Sequence, residues 1–123
     1  MNIALWVAQG LMALVMVGAG TMKLLTPKTK LAANPRMGWA ADFSATQIKL
    51  IALAEVLGAI GLVVPWATGI LQVLTPVAAA CLAILMIGAA TVHASRKEPF
   101  IPVVVFVLLL AFVAVGRFGL LPG

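Results

Sequence analysis

Charge is what this chain has least of. Only 9% of its 123 residues are charged, three acidic and eight basic, while 64% are hydrophobic and the mean hydropathy is +1.22. A soluble domain carries about 25% charged residues. The polar surface here is too small to cover a water-soluble globule, so lipid must cover the rest. There is one cysteine, Cys81, set in an apolar run. A single thiol excludes an intrachain disulfide and a C-x-x-C redox pair, and the expectation for it is a buried small hydrophobe. There is one histidine and no carboxylate or thiol at ligand spacing from it, which argues against a metal site or a haem pair. A phosphate-cradling glycine loop, a nucleophile elbow, H-E-x-x-H and a dinucleotide fingerprint are all missing. The net charge of +5 does not imply nucleic acid. The basic residues sit at the ends of apolar runs, where anionic headgroups would meet them.

What the chain does have is apolar length. Four runs cover about residues 3–25, 45–64, 76–94 and 100–118, each near the length of a membrane span. The first lacks a basic leading region, is long and is followed directly by Lys23, so it reads as a membrane helix and not as a cleaved signal. Thr26-Pro27 ends it, because the ring of Pro27 restricts Thr26 and cannot continue the ladder. In the loop from Thr26 to Phe43, Lys28 to Ala33 suits a short interfacial helical turn. Ser44 and Gln47 fit a capping box at the start of the second run. Pro65 is expected to stop that run. Thr75-Pro76 reads as an N-cap and first helical residue for the third. Ser95 to Pro99 is a polar turn, and Pro102 is tolerable in the first turn of the fourth run. The expected fold is all-α, a single four-helix transmembrane bundle.

Four spans place both termini on one side and loops 26–43 and 95–99 on the other. The loop side holds Lys28, Lys30, Arg36, Arg96 and Lys97, with Lys23 and Lys49 close by, whereas the terminal side has only Arg117. Positive-inside bias then predicts cytoplasmic loops and both termini outside, in a bacterial inner membrane. Trp6 and Trp66 fall on the terminal side and Trp39 on the loop side, as aromatic belts. The chain also echoes itself. Met16 to Lys23 reads MVGAGTMK and Met86 to His93 reads MIGAATVH, and Gly58-x-x-Gly61-Leu62 is matched by Gly116-x-x-Gly119-Leu120. This pattern suggests two parallel-repeat helical hairpins, with Lys23 and His93 in equivalent places.

Three residues stand out chemically. Glu55 lies near the middle of an apolar run, where a carboxylate costs roughly 2.5–3.5 kcal/mol on insertion scales and so faces protein or a water-filled cavity. It serves either a buried ligand or helix packing. Lys23 either snorkels to the headgroups or pairs with Glu55. At 1.5 Å per residue the axial gap between them is about 5 Å if Lys49 marks the interface, within reach of a lysine arm. His93 is either a helix C-terminal interfacial residue favoured by the dipole or the third member of a loop-side pocket. Gly18, Ala54, Gly58 and Gly61 are the expected helix-packing positions, Ala54 and Gly58 as a small-xxx-small pair. Gln9 is placed to bond across helices and Arg117 to anchor the outer end of the last run.

The segments GAGTMKLLTP, MGWAADFS, IALAEVLGAIGLVVP and GAATVHASRKE, in this order, resemble the DoxX-like family of small four-helix membrane proteins. The resemblance is carried most specifically by Lys23-Leu24, Met37-Gly38-Trp39, Glu55-Val56-Leu57-Gly58 and His93. It implies a four-helix transmembrane bundle and, through the wider DoxX/DoxD group, an association with membrane redox work. One such relative is a small subunit of a thiosulfate:quinone oxidoreductase. The leading expectation is therefore a protein that binds a lipophilic molecule, quinone being the named candidate, near Lys23, Glu55 and His93. It would support a redox partner or act as a homo-oligomer in the lipid bilayer, and would not be an autonomous enzyme. The alternative is a structural or assembly subunit without its own ligand. A proton-coupled transporter ranks third.

Overall fold

Three long helices and one shorter one carry the architecture. The computed structural model describes residues 2–33, 38, 40, 43–97 and 100–119, so Met37, Trp39, Asp42, Glu98 and Leu120 lie outside the described residues. In order the elements are α1 Asn2–Leu25, α2 Lys28–Ala33, α3 Ala45–Thr68, α4 Leu74–Ser95 and α5 Ile101–Arg117. All regular structure among the described residues is helical. Helices α1, α3 and α4 are long and apolar enough to cross a membrane, whereas α5 has 17 residues. At 1.5 Å per residue α5 reaches about 25 Å, the short limit for a span.

The start of α3 forms as its sequence specifies. The hydroxyl of Ser44 accepts from the Gln47 amide at 3.1 Å, and the Gln47 side chain accepts from the Ser44 amide at 2.9 Å. Its end departs from expectation. Pro65 does not stop the helix, which continues to Thr68 and closes at Gly69 in the left-handed region, φ 72°. Proline has no N–H for the carbonyl four residues earlier, here Gly61. Thr75 fills that gap by donating from its hydroxyl to the Gly61 carbonyl at 2.9 Å. One residue on, Gln9 donates to the Leu62 carbonyl at 2.6 Å. Pro65 therefore remains inside a helix because two neighbouring helices supply donors to adjacent carbonyls, as buried transmembrane prolines require. The same contact corrects the reading of Thr75 as an N-cap. Helix α4 begins at Leu74 with Val73 as its cap, and Thr75 is fully buried within its first turn.

The long helices pack in a closed ring, α1 to α3 to α4 to α5 and back to α1. Contact is most extensive in the pairs α1/α3 and α4/α5, and least between α1 and α5. The shared core is built from Met12, Met16, Leu62, Leu82, Met86, Leu110 and Val113, with alanines filling the narrow places. Methionine, unbranched and polarizable, fits such irregular gaps. A second small cluster, Leu31, Ala40 and Ile48 with Phe43 and Val92 against it, holds α2 at the loop-side end. The outer faces are greasy: Ile3, Leu14, Leu50, Leu57, Ile84 and Leu108 are all exposed. Cys81, expected to be buried, is exposed on this outer surface of α4.

Candidate functional site

The inward face of α1 ends at Gly20 and Lys23. A Cβ on Gly20 would stand 2.7 Å from both the Ala52 carbonyl oxygen and Val56 Cγ2, so only glycine permits α1 and α3 to approach this closely. The two helices run antiparallel, and side chains on a helix lean toward its own N-terminus. Lys23 thus leans inward from the loop-side end of α1, and Glu55 leans from mid-helix toward the loop side. They meet: Lys23 Nζ donates to Glu55 Oε1 at 2.6 Å, with the side chains 11% and 1% exposed. An axial gap of about 5 Å at 1.5 Å per residue fits this arrangement. Attraction between unit charges at this separation is strong wherever water is excluded. Lys23 is paired with Glu55 in the interior, and does not simply run out to the headgroups.

The ion pair borders a cavity of about 460 Å³ on the loop side. All four long helices line it, and Phe43 from the loop before α3 lines it as well. Its polar residues are Lys23, Glu55 and His93, and the remaining wall is apolar. His93 and Lys23 reach it from α4 and α1, which stand across the ring from one another. Three further lining pairs fall at the same sequence offset: Val15 with Leu85, Met16 with Met86, and Ala19 with Ala89. The MVGAGTMK and MIGAATVH segments therefore face the same space. Among the described residues no group of three or more metal-ligating side chains occurs.

The packing residues divide. Gly58 and Gly61 meet α4: a Cβ on Gly58 would strike the Leu82 side chain, and one on Gly61 would lie 2.9 Å from Ala78 Cβ. Ala54 lines an outer groove between α3 and α4 together with Gly58 and Cys81. Gly18 is different. A Cβ there would meet nothing within 4 Å in the chain, and the close approach belongs to Gly20 two residues on.

Sequence reasoning missed the cluster at the terminal end. Arg117, read as a simple outer anchor, is buried. Its Nε donates to Gln9 Oε1 at 2.6 Å and its Nη1 to Asn2 Oδ1 at 2.8 Å. Its guanidinium carbon lies 4.5 Å from the Trp66 ring centre and 5.4 Å from that of Trp6. Trp6 and Trp66, expected as a headgroup belt, also flank a cation. The signal available was that Arg117, Gln9, Trp6 and Trp66 share one depth in an antiparallel bundle.

A mostly apolar helical assembly with greasy outer faces, three helices of spanning length and a buried ion pair beside a cavity among the helices is an integral membrane protein. The chain belongs to the DoxX-like family, which it matches over residues 7–116, a stretch that includes Lys23, Glu55 and His93. No curated protein and no solved structure matches it.

Proposed function

We propose that this protein is a four-helix transmembrane bundle, built from two helical hairpins in parallel repeat, that holds a lipophilic molecule in its loop-side cavity. The observation that carries this reading is the cavity itself. At about 460 Å³ it lies within the usual range of small-molecule sites, roughly 300–1,000 Å³. It also has the usual composition of such sites, apolar walls with a few convergent polar groups. The apolar walls would hold a ring or chain, and the ammonium of Lys23 and the imidazole of His93 would donate to oxygens on its head. Glu55 would hold the Lys23 ammonium in place and accept a proton from a hydroxyl on the same head.

Quinone is the candidate we favour, on family resemblance and on this donor set, since its carbonyl oxygens are acceptors attached to an apolar body. A bound quinone would supply two-electron redox chemistry. The chain's own residues would bind it, orient it and keep bulk water out, and the electrons would come from a redox partner. The loops would lie in the cytoplasm and both termini outside, in a bacterial inner membrane. The alternative, an assembly subunit or homo-oligomer, is favoured by the outer groove over Ala54, Gly58 and Cys81, where a further helix could pack.

The test is purification in mild detergent followed by mass spectrometry of co-purifying lipophiles, repeated with Glu55→Gln and His93→Ala. Retention by the parent and loss by the variants is expected. Equal retention by all three would remove these residues from the site.

A further inference from the structure

At the end of the bundle opposite the cavity, Arg117 is a cation with no counter-charge among the described residues. It is 9% exposed. A guanidinium carries five N–H donors in a fixed fork. Gln9 and Asn2 take Nε and Nη1, and two indoles flank the plane. Nη2 is the one buried side-chain nitrogen or oxygen with no partner among the described residues. Among the described residues no carboxylate is bonded to it. The chain has three acidic residues. Glu55 is engaged with Lys23. Asp42 and Glu98 lie outside the described residues. Amides and tryptophan faces solvate a cation but do not neutralise it, and an uncompensated buried charge is costly.

We infer that Arg117, framed by Trp6, Trp66, Gln9 and Asn2, is a binding site for a phosphate-type anion, and that its occupant is the phosphate of a membrane phospholipid. Charge-assisted bonds from guanidinium to phosphate oxygens are short and strong. The site lies where α1 begins and α5 ends, the level at which headgroups stand. Ile3, Val7 and Phe118 are exposed around it and offer acyl chains an apolar surface that free phosphate cannot use. Asn2, Trp6 and Arg117 fall outside the stretch matched to the family.

Emission from Trp6 and Trp66 reports the site directly once the third tryptophan is removed by Trp39→Phe. The full chain in detergent is titrated with dihexanoyl phosphatidic acid, with dihexanoyl glycerol and with inorganic phosphate. A saturable emission change with phosphatidic acid is expected, with no matching change from the phosphate-free lipid and at least about tenfold weaker binding of inorganic phosphate. Arg117→Gln is expected to weaken phosphatidic acid binding about tenfold or more, since a hydrogen bond to a charged group contributes about 1.5–3 kcal/mol. Equal responses to phosphatidic acid and dihexanoyl glycerol would overturn the site. So would an unchanged response in folded Arg117→Gln protein, and equal affinity for inorganic phosphate would overturn the lipid as its occupant. Should Arg117→Gln fail to fold, the comparison of the two lipids on the Trp39→Phe chain still decides.

Discussion

Removing either partner of the Lys23–Glu55 pair has unequal consequences, and the inequality follows from where each side chain can go. In Lys23→Met the carboxylate is left behind. Glu55 is 1% exposed and sits mid-helix, with a side chain too short to run out to the headgroups. Stranding a buried charge in this way costs about 3–5 kcal/mol. In Glu55→Gln the ammonium is left behind. Lys23 is within one turn of the helix end and 11% exposed, so it can still donate to the new amide oxygen or extend to the headgroups. That substitution exchanges an ion pair for a bond from the ammonium to an uncharged acceptor, at about 1 kcal/mol. The double variant removes both charges and is expected to lie near Glu55→Gln, giving a coupling of about 3–5 kcal/mol across the cycle. The assay is unfolding in mixed micelles at rising sodium dodecyl sulfate fraction, followed by tryptophan emission. A Glu55→Gln loss equal to or larger than that of Lys23→Met would refute the argument, because it would mean that Glu55 has an escape or a second cation.

Three further outcomes use the same unfolding assay or the co-purification assay. Gly20→Ala should cost about 1–3 kcal/mol by pushing α1 off α3, while Gly18→Ala, which meets open space, should be neutral or gain up to about 1 kcal/mol in helix propensity. Thr75→Val should cost about 1 kcal/mol by leaving the Gly61 carbonyl without its donor, and Thr75→Ser should restore most of it. Ala89→Phe should fill the cavity, leaving helicity unchanged by circular dichroism while the co-purifying lipophile falls severalfold. Undiminished retention would place the lipophile elsewhere.

Much of this molecule could be read from periodic apolar length and from caps. The runs, the Ser44 box and the short turn at Lys28–Ala33 are local signals, and local signals survive folding. The Lys23–Glu55 pair was one of two readings left open, because the depth count along two antiparallel helices depends on which residue marks the interface. What could not be read locally was compensation between helices. Pro65 is a stop signal in isolation, and it becomes permissible only when Thr75 on another helix bonds the carbonyl it orphans. Arg117 at a helix end looks like an interfacial anchor, and only the ring order, which brings α5 beside α1, gives it Gln9 and Asn2. Gly18 was expected to pack, and the close approach to α3 falls on Gly20. Gly18 and Gly20 are both glycines in the same run, and composition does not say which one faces α3.

The position of the cavity follows from the order of small and large residues along the helices. Where the α1/α3 pair meets the α4/α5 pair on the terminal half, the contacts fall on Gly58, Gly61 and Gly116. A Cβ at each of these would lie within 3 Å of Leu82, Ala78 or Leu5. These glycines let the two pairs close, and the bonds from Thr75 and Arg117 fasten them there. On the loop half the facing positions mix large residues, Met16, Ile51, Leu85, Met86 and Phe106, with the small Ala19, Gly88 and Ala89, and the space between them is left unfilled. The one close-approach glycine on that half, Gly20, acts within the α1/α3 pair and not between pairs. It draws Lys23 to Glu55 and leaves the space beside them open. The same substitution pattern that clasps one end of the bundle thus separates the other, and it sets the ion pair on the wall of the resulting space.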